Sequence, residues 1–149
     1  MKTDGLQISF AALTDEKKII GFLNRNDLLH QDITRSHLDN FLLLWDGSKL
    51  VGTVGLEIKG HCALLRSLAV EESYRKKGWA SQLLDKIEQH AKTWNVNTLY
   101  LLTMTVEAFF AKRGYEKIER DTTPPSVQET EEFKGLCPDT AVCMVKYLY

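Results

Sequence analysis

One short string brings positive charge, glycine and the start of a helix together: Tyr74-Arg75-Lys76-Lys77-Gly78-Trp79-Ala80-Ser81. Apolar residues precede it, Ala63-Leu64-Leu65 and Leu68-Ala69-Val70, as in a strand. After it Ala80, Leu83, Leu84, Ile87, Ala91 and Trp94 recur at three- and four-residue spacing, and Ser81, Asp85, Lys86, Glu88, Gln89 and Lys92 fill the other face. A strand running into a glycine turn that opens a helix aims several backbone N–H groups, and the positive end of the helix dipole, at one place. Arg75, Lys76 and Lys77 add charge there, Gly78 lets the backbone come close, and Ala80 keeps the first helical turn clear of bulk. The chemistry this suits is the holding of a diphosphate. Neither the Gly-x-Gly-x-x-Gly dinucleotide fingerprint nor the Gly-Lys-Ser/Thr of a Walker loop occurs there.

Arg66 is the next residue with chemistry to offer. A guanidinium in a central strand must have a partner, and its planar fork matches a carboxylate. That carboxylate belongs either to a substrate or to an internal acid such as Glu57, and the sequence leaves both open. Glu107 is a candidate base, although a glutamate in the first turn of a helix also serves the dipole. Ser67, Thr103 and the tyrosines carry hydroxyls able to give a proton to a leaving group. His30 and His37 fall in a polar segment as surface or loop residues, and Tyr74 packs or lines the ligand.

The elements that must position these groups follow from pattern. Leu6 to Phe10 alternates and predicts a first strand, and Thr14 is the expected cap of a helix with Ile19, Ile20 and Leu23 on its apolar face. Residues 28–40 predict a short helix and a loop. Phe41 to Trp45 and Leu50 to Ile58 predict two strands joined by a turn at Asp46-Gly47-Ser48-Lys49. Gly52 and Gly55 inside the second imply close packing or space for a ligand, packing being preferred. Leu99 to Thr103 predicts a buried strand parallel to Ala63–Val70, with Val70 and Thr103 at the lips of a crevice at its end. Thr105 is the expected cap of a helix over Val106–Arg113 that stops at Gly114; a strand starting at Tyr115, a short helix over Val127–Phe133 and a last strand over Ala141–Tyr149 complete the chain.

With 149 residues, the chain has the size of one domain, residues 1–149. Its 19 basic and 20 acidic residues nearly cancel, which speaks against a general affinity for nucleic acid or anionic membrane. Met1 to Gly5 lacks the apolar core of a signal peptide and no segment has a membrane-spanning length, so a cytoplasmic location is expected, as a monomer or homodimer. Cys62, Cys137 and Cys143 form neither a Cys-x-x-Cys pair nor a zinc pattern, so no metal site is expected. Packing explains them better than capture of trivalent arsenic by Cys137 and Cys143.

Leu68-Ala69-Val70 followed by Arg75-Lys76-Lys77-Gly78-Trp79-Ala80 resembles the Arg/Gln-x-x-Gly-x-Gly/Ala signature of the GNAT N-acetyltransferases. The resemblance implies a mixed, mostly antiparallel α/β (α+β) sheet, with its fourth and fifth strands parallel and splayed and helices on both faces. It also implies acetyl-coenzyme A as cosubstrate: its pyrophosphate on Arg75, Lys76, Lys77, Gly78, Trp79, Ala80 and Ser81, and its pantetheine arm along Leu68, Ala69 and Val70. Glu107-Ala108-Phe109-Phe110-Ala111-Lys112-Arg113-Gly114-Tyr115 resembles the family's second signature and adds Thr103, Phe109, Phe110 and Lys112 to the cofactor side. Many members have tyrosine where this chain has Phe110, and phenylalanine has no proton to give. The strings around Arg66, Leu99–Thr103 and Glu132 to Met144 are similar to the small amino-acid N-acetyltransferases of arsenic-resistance operons, and more distantly to the acetyltransferase domain of N-acetylglutamate synthase. That likeness implies a small-molecule acceptor, the α-amine of an amino acid or an amino-acid-like, including organoarsenical, compound. Arg66, Ser67, Thr103 and Glu107 are then the residues expected to serve catalysis. The alternative is a non-catalytic acyl-coenzyme A sensor.

Overall fold

The computed structural model describes residues 5–149, the side chain of Leu136 excepted. The reading of Met1–Asp4 as carrying no leader lies outside the described residues. Seven strands, β1 (Leu6–Phe10), β2 (Phe41–Asp46), β3 (Lys49–Lys59), β4 (Cys62–Val70), β5 (Thr98–Thr103), β6 (Glu116–Ile118) and β7 (Val142–Tyr147), form a sheet in the order β1-β2-β3-β4-β5-β7-β6. β4 and β5 are parallel, with Cys62 to Leu64 against Thr98 to Tyr100. The β1–β2, β2–β3, β5–β7 and β6–β7 pairs are antiparallel. The helices are α1 (Glu16–Arg25), α2 (Trp79–Thr93), α3 (Glu107–Ala111) and α4 (Pro125–Gln128). None among the described residues is long and apolar enough to cross a membrane.

The chain separates into two compact units, Met1–Leu56 with Ser67–His90, and Glu57–Arg66 with Ala91–Tyr149. In the first, α1 turns Ile19, Phe22 and Leu23 onto Leu38, Phe41, Leu43 and Leu50, and burial of these side chains is its main stabilising term. Thr14 is not the cap expected of it. A 3-10 turn over Leu13–Asp15 precedes α1, and the Asp15 carboxylate, a stronger acceptor than a hydroxyl, takes the Ala12 N–H at 2.9 Å. Gly52 and Gly55 are packing glycines. A Cβ at Gly52 would lie 3.0 Å from Leu44 Cβ and 3.2 Å from Leu83 Cδ1, and one at Gly55 would run into the Phe41 ring. The helix α2 can therefore sit close on β3, and Leu83, Leu84 and Ile87 are fully buried.

The second unit packs Leu64, Val127, Phe133 and Cys143 together. Several expectations are corrected here. Trp94 lies just past the end of α2 and is 59% exposed, because Asn95 turns left-handed (φ 61°) and ends the periodicity that placed it on the apolar face. Thr105 does not cap α3. Val106 holds that position, and its N–H donates to the Thr103 hydroxyl at 3.2 Å. The single helix over Val127–Phe133 is instead α4, which starts with proline at its first turn, then a π-turn over Glu132–Leu136. At the break the Thr130 hydroxyl donates to the Val127 carbonyl at 2.7 Å, and Arg120 holds the segment beyond it. The Arg120 guanidinium donates to the carbonyls of Phe133 at 3.0 Å and Pro138 at 2.8 Å and lies 3.4 Å from that of Cys137, tying the π-turn to the loop after it. α3 ends at Ala111 and not at Arg113, and Gly114 then turns the chain left-handed at φ 93°.

Candidate active site

The basic turn is built from the end of β4 onward. Ser67 has a φ of 60°, rare for a residue with a Cβ, and this left-handed step kinks the strand. The Thr53 hydroxyl holds the kink by donating to the Ser67 carbonyl at 2.6 Å. Beyond it Leu68 and Ala69 are half-buried and Val70 is buried. A 3-10 turn over Glu72–Tyr74 follows, and the Tyr74 hydroxyl donates to Asp46 at 2.5 Å, anchoring the turn to the β2–β3 hairpin. That hydrogen bond raises the Tyr74 phenol above its ordinary value, so it stays protonated. Arg75 Nε donates to the Val70 carbonyl at 2.7 Å.

Lys76 (φ 67°) and Gly78 (φ 88°) are both left-handed, and α2 begins directly after them with Gln82 N–H donating to the Gly78 carbonyl. A Cβ at Gly78 would meet nothing within 4 Å, so glycine is required by the backbone conformation and not by protein packed against it. The space beside the turn is open. Lys76 and Lys77 are exposed, and Trp79, Ala80 and Ser81 are half-buried. A positive turn, an open glycine and the head of a 15-residue helix fit an anionic group such as a diphosphate.

Glu71, at the base of the turn, pairs with Lys49 at 3.0 Å and Arg25 at 3.2 Å, and the Lys49 hydrogen bond holds its carboxyl below the usual range. Neither lysine of the turn takes part in these pairs.

Arg66 belongs to the second unit, and its surroundings differ completely. Its side chain has no exposure; NH1 lies 2.7 Å from Glu57 Oε2 and NH2 3.3 Å from Glu132 Oε2. Of the two partners left open by the sequence, the internal acid is the one seen, with Glu132 as a second. Cys137 extends the cluster, its thiol donating to Glu132 Oε1 at 3.8 Å. Burial first, and the Glu132 charge next, push that thiol up to about 12, and burial pushes Cys143 up to about 11. Thiols so reluctant to ionise are poor ligands for a soft metal. Among the described residues, no group of three or more His, Cys, Asp and Glu could hold a metal ion.

Thr103 is buried, with its hydroxyl accepting from Val106. Glu107, in the first turn of α3, and Lys112 are exposed. Phe110 is buried edge-on between Phe109 and Tyr115, each ring centroid 5.3 Å away, and the Arg113 guanidinium stacks 3.9 Å over Phe109. Two participants escaped the sequence reading. Thr53, a polar residue among the apolar ones of β3, offered a faint signal; Glu132 belongs to a string that resembles the family, but its pairing with Arg66 had no signal in the sequence.

Comparison with known proteins identifies the family and the fold. The model of the acetyltransferase (GNAT) family matches residues 8–118. An uncharacterised N-acetyltransferase of Chlorobaculum tepidum is 37% identical over 65 residues, covering 44% of this chain and 41% of its own length. An amino-acid acetyltransferase of Pseudomonas syringae is 37% identical over 60 residues, covering 40% of this chain and 14% of its own length. This chain thus spans well under half of these two relatives. Among solved structures, N-acetylglutamate synthase from Neisseria gonorrhoeae, complexed with coenzyme A and L-arginine, superposes with a TM-score of 0.81 at 22% identity over 99% of this chain and 34% of the other. A GNAT-family acetyltransferase from Staphylococcus aureus does so with 0.79 at 21% identity, over 97% and 99%. These structures share the fold, and with the family match over residues 8–118 the chain belongs to the GNAT acetyltransferase family.

Proposed function

We propose that this protein is an acetyl-coenzyme A-dependent N-acetyltransferase that passes the acetyl group directly to the α-amine of an amino acid or an amino-acid-like compound, organoarsenical ones included. The observation that carries the reading is the open, left-handed, positively charged turn at Lys76–Gly78 heading α2. Bound acetyl-coenzyme A supplies an activated thioester. Lys76, Lys77 and the first N–H groups of α2 neutralise the diphosphate, and Leu68 to Val70 offer strand backbone to the pantetheine arm.

An α-amino group has a pKa of about 8, so a useful fraction is neutral near neutral pH without a strong base. Its nitrogen forms the new C–N bond as the C–S bond breaks, its surplus proton goes to water, and the Val70 N–H steadies the carbonyl oxygen as charge builds there. Ser67, Thr103 or water protonates the departing sulfur. Glu107, exposed in the first turn of α3, is the candidate base. The named relatives act in the same direction, since amino-acid acetyltransferase and N-acetylglutamate synthase are among them. Arg66 enters as a support of the strand, with its fork on Glu57 and Glu132.

The test is release of free coenzyme A from acetyl-coenzyme A against a panel of amino acids and arsenical analogues. Turnover with at least one α-amine, lost when that amine is methylated to a quaternary centre, is the expected result; binding of coenzyme A without turnover would leave the sensor. Phe110, buried and without a hydroxyl, is the observation that favours that second reading.

A further inference from the structure

The peptide joining Val70 to Glu71 is held on both edges. Its carbonyl accepts from Arg75 Nε at 2.7 Å, and its N–H donates to the Val51 carbonyl at 2.8 Å. Upstream, the Ser67 carbonyl accepts from the Thr53 hydroxyl at 2.6 Å, at the residue whose φ of 60° kinks the strand. Leu68, Ala69 and Val70 therefore lie between two pinned peptides. With both flanks fixed, the peptides between them have little freedom to rotate. A donor that must meet developing charge works only if it is already aimed when the charge appears.

We propose that Arg75 is a positioning residue: by gripping the Val70 carbonyl from the turn, it aims the Val70 N–H for acetyl transfer, and the diphosphate is left to Lys76, Lys77 and the head of α2. This rests on the acetyltransferase reading above. The inner nitrogen of the guanidinium is engaged at a charge-assisted distance, and NH2 lies 3.5 Å from Asn26 Oδ1, so the fork is turned toward protein acceptors at two points. Lys76 and Lys77 show the contrast. Their exposed side chains make no hydrogen bond or ion pair with the described residues, which is the state expected of charges waiting for an anion. Lysine would replace this grip poorly, since one rotating ammonium cannot meet the Val70 carbonyl and face Asn26 with the fixed geometry of the fork.

Arg75→Lys keeps the charge and removes the fixed two-point grip, which makes it the deciding variant. The expected result is a kcat lower by about tenfold or more, with affinity for coenzyme A by calorimetry within about twofold of wild type. Weaker coenzyme binding with an unchanged kcat at saturation would make Arg75 a phosphate ligand and overturn the proposal, and so would no change in either quantity. Amide hydrogen exchange supplies a readout that needs no turnover. In the coenzyme-free wild-type protein the Glu71 amide is expected to be protected already, and to exchange about tenfold faster in Arg75→Lys while Leu84 in α2 is unaffected. A Glu71 amide that becomes protected only when coenzyme A is added would overturn the grip even if the variant failed to fold. Wild-type protein that never turns over would sink the acetyltransferase reading and leave the grip to be decided by exchange.

Discussion

Arg75 and Arg66 stand on either side of the kink at Ser67 and have opposite fates. Arg75 is exposed, donates from Nε to the Val70 carbonyl with NH2 near Asn26 Oδ1, and sits beside two lysines that make no hydrogen bond or ion pair with the described residues. Arg66 has no exposed side-chain surface and faces two carboxylates. The difference teaches where recognition chemistry can live. A cation whose fork is already matched by buried carboxylates is a stabilising part of the strand, and removing it would strand charge in the interior. Lys76 and Lys77, on the open turn, cost little to keep hydrated and can trade water for a phosphate when one arrives, while Arg75 keeps its hold on the Val70 carbonyl.

Arg66→Met should break the contrast most severely. It leaves Glu57 and Glu132 buried without their guanidinium, and a loss of about 3–5 kcal/mol in urea unfolding is expected. Adding Glu57→Gln and Glu132→Gln to it should recover part of that loss; no recovery would mean that Arg66 acts by packing alone.

On the open side, Lys77→Glu should leave the melting temperature within a degree or two and weaken coenzyme A about tenfold, a change of about 1.4 kcal/mol, in calorimetry at low salt. The loss should shrink as salt is raised. Lys77 is the better probe than Gly78, because any side chain at φ 88° strains the backbone before a ligand is added.

The thiols beside the buried cluster give a gentler test. From an ordinary 9.0, Cys137 is pushed up to about 12 and Cys143 to about 11. Above pH 9.0 the unfolded chain loses these protons and the folded chain keeps them, so stability falls as pH rises and stops falling once the folded values are passed. The slope is at most about 1.4 kcal/mol per pH unit for each thiol, and less for Cys137, which is partly reached by solvent. Cys137→Ala should flatten the fall between about pH 9 and about pH 12 in denaturant titrations.

The smallest effect belongs to Glu71. Its partners Arg25 and Lys49 are 53% and 57% exposed, so Glu71→Gln should cost about 0.5 kcal/mol near neutral pH. Its carboxyl titrates below the ordinary 4.5, so this contribution is full above 4.5 and disappears as pH falls through the lowered folded value.

What the sequence could show followed from local pattern. Periodicity fixed α2 and glycine fixed the turn, because each depends on residues within a few positions of one another. The parallel pairing of β4 and β5 followed from a helix lying between two apolar runs. Trp94 and Thr105 failed for one reason: a residue just beyond a helix end keeps the periodicity or the chemistry of a helix residue while the backbone has already turned away. Arg66 could not be resolved, since Glu132 comes from a segment far along the chain, in a π-turn that Arg120 helps to shape. Only the fold brings such residues together.

Phe110 has a consequence for anyone redesigning this scaffold. Its ring is 5% exposed and wedged between two other aromatic rings, so grafting a phenol onto that position would place the new oxygen where water barely reaches. Unless it finds an acceptor, that oxygen would cost about 1–3 kcal/mol of folding energy. An engineer wanting a phenol there would first have to build that acceptor into the wall of rings.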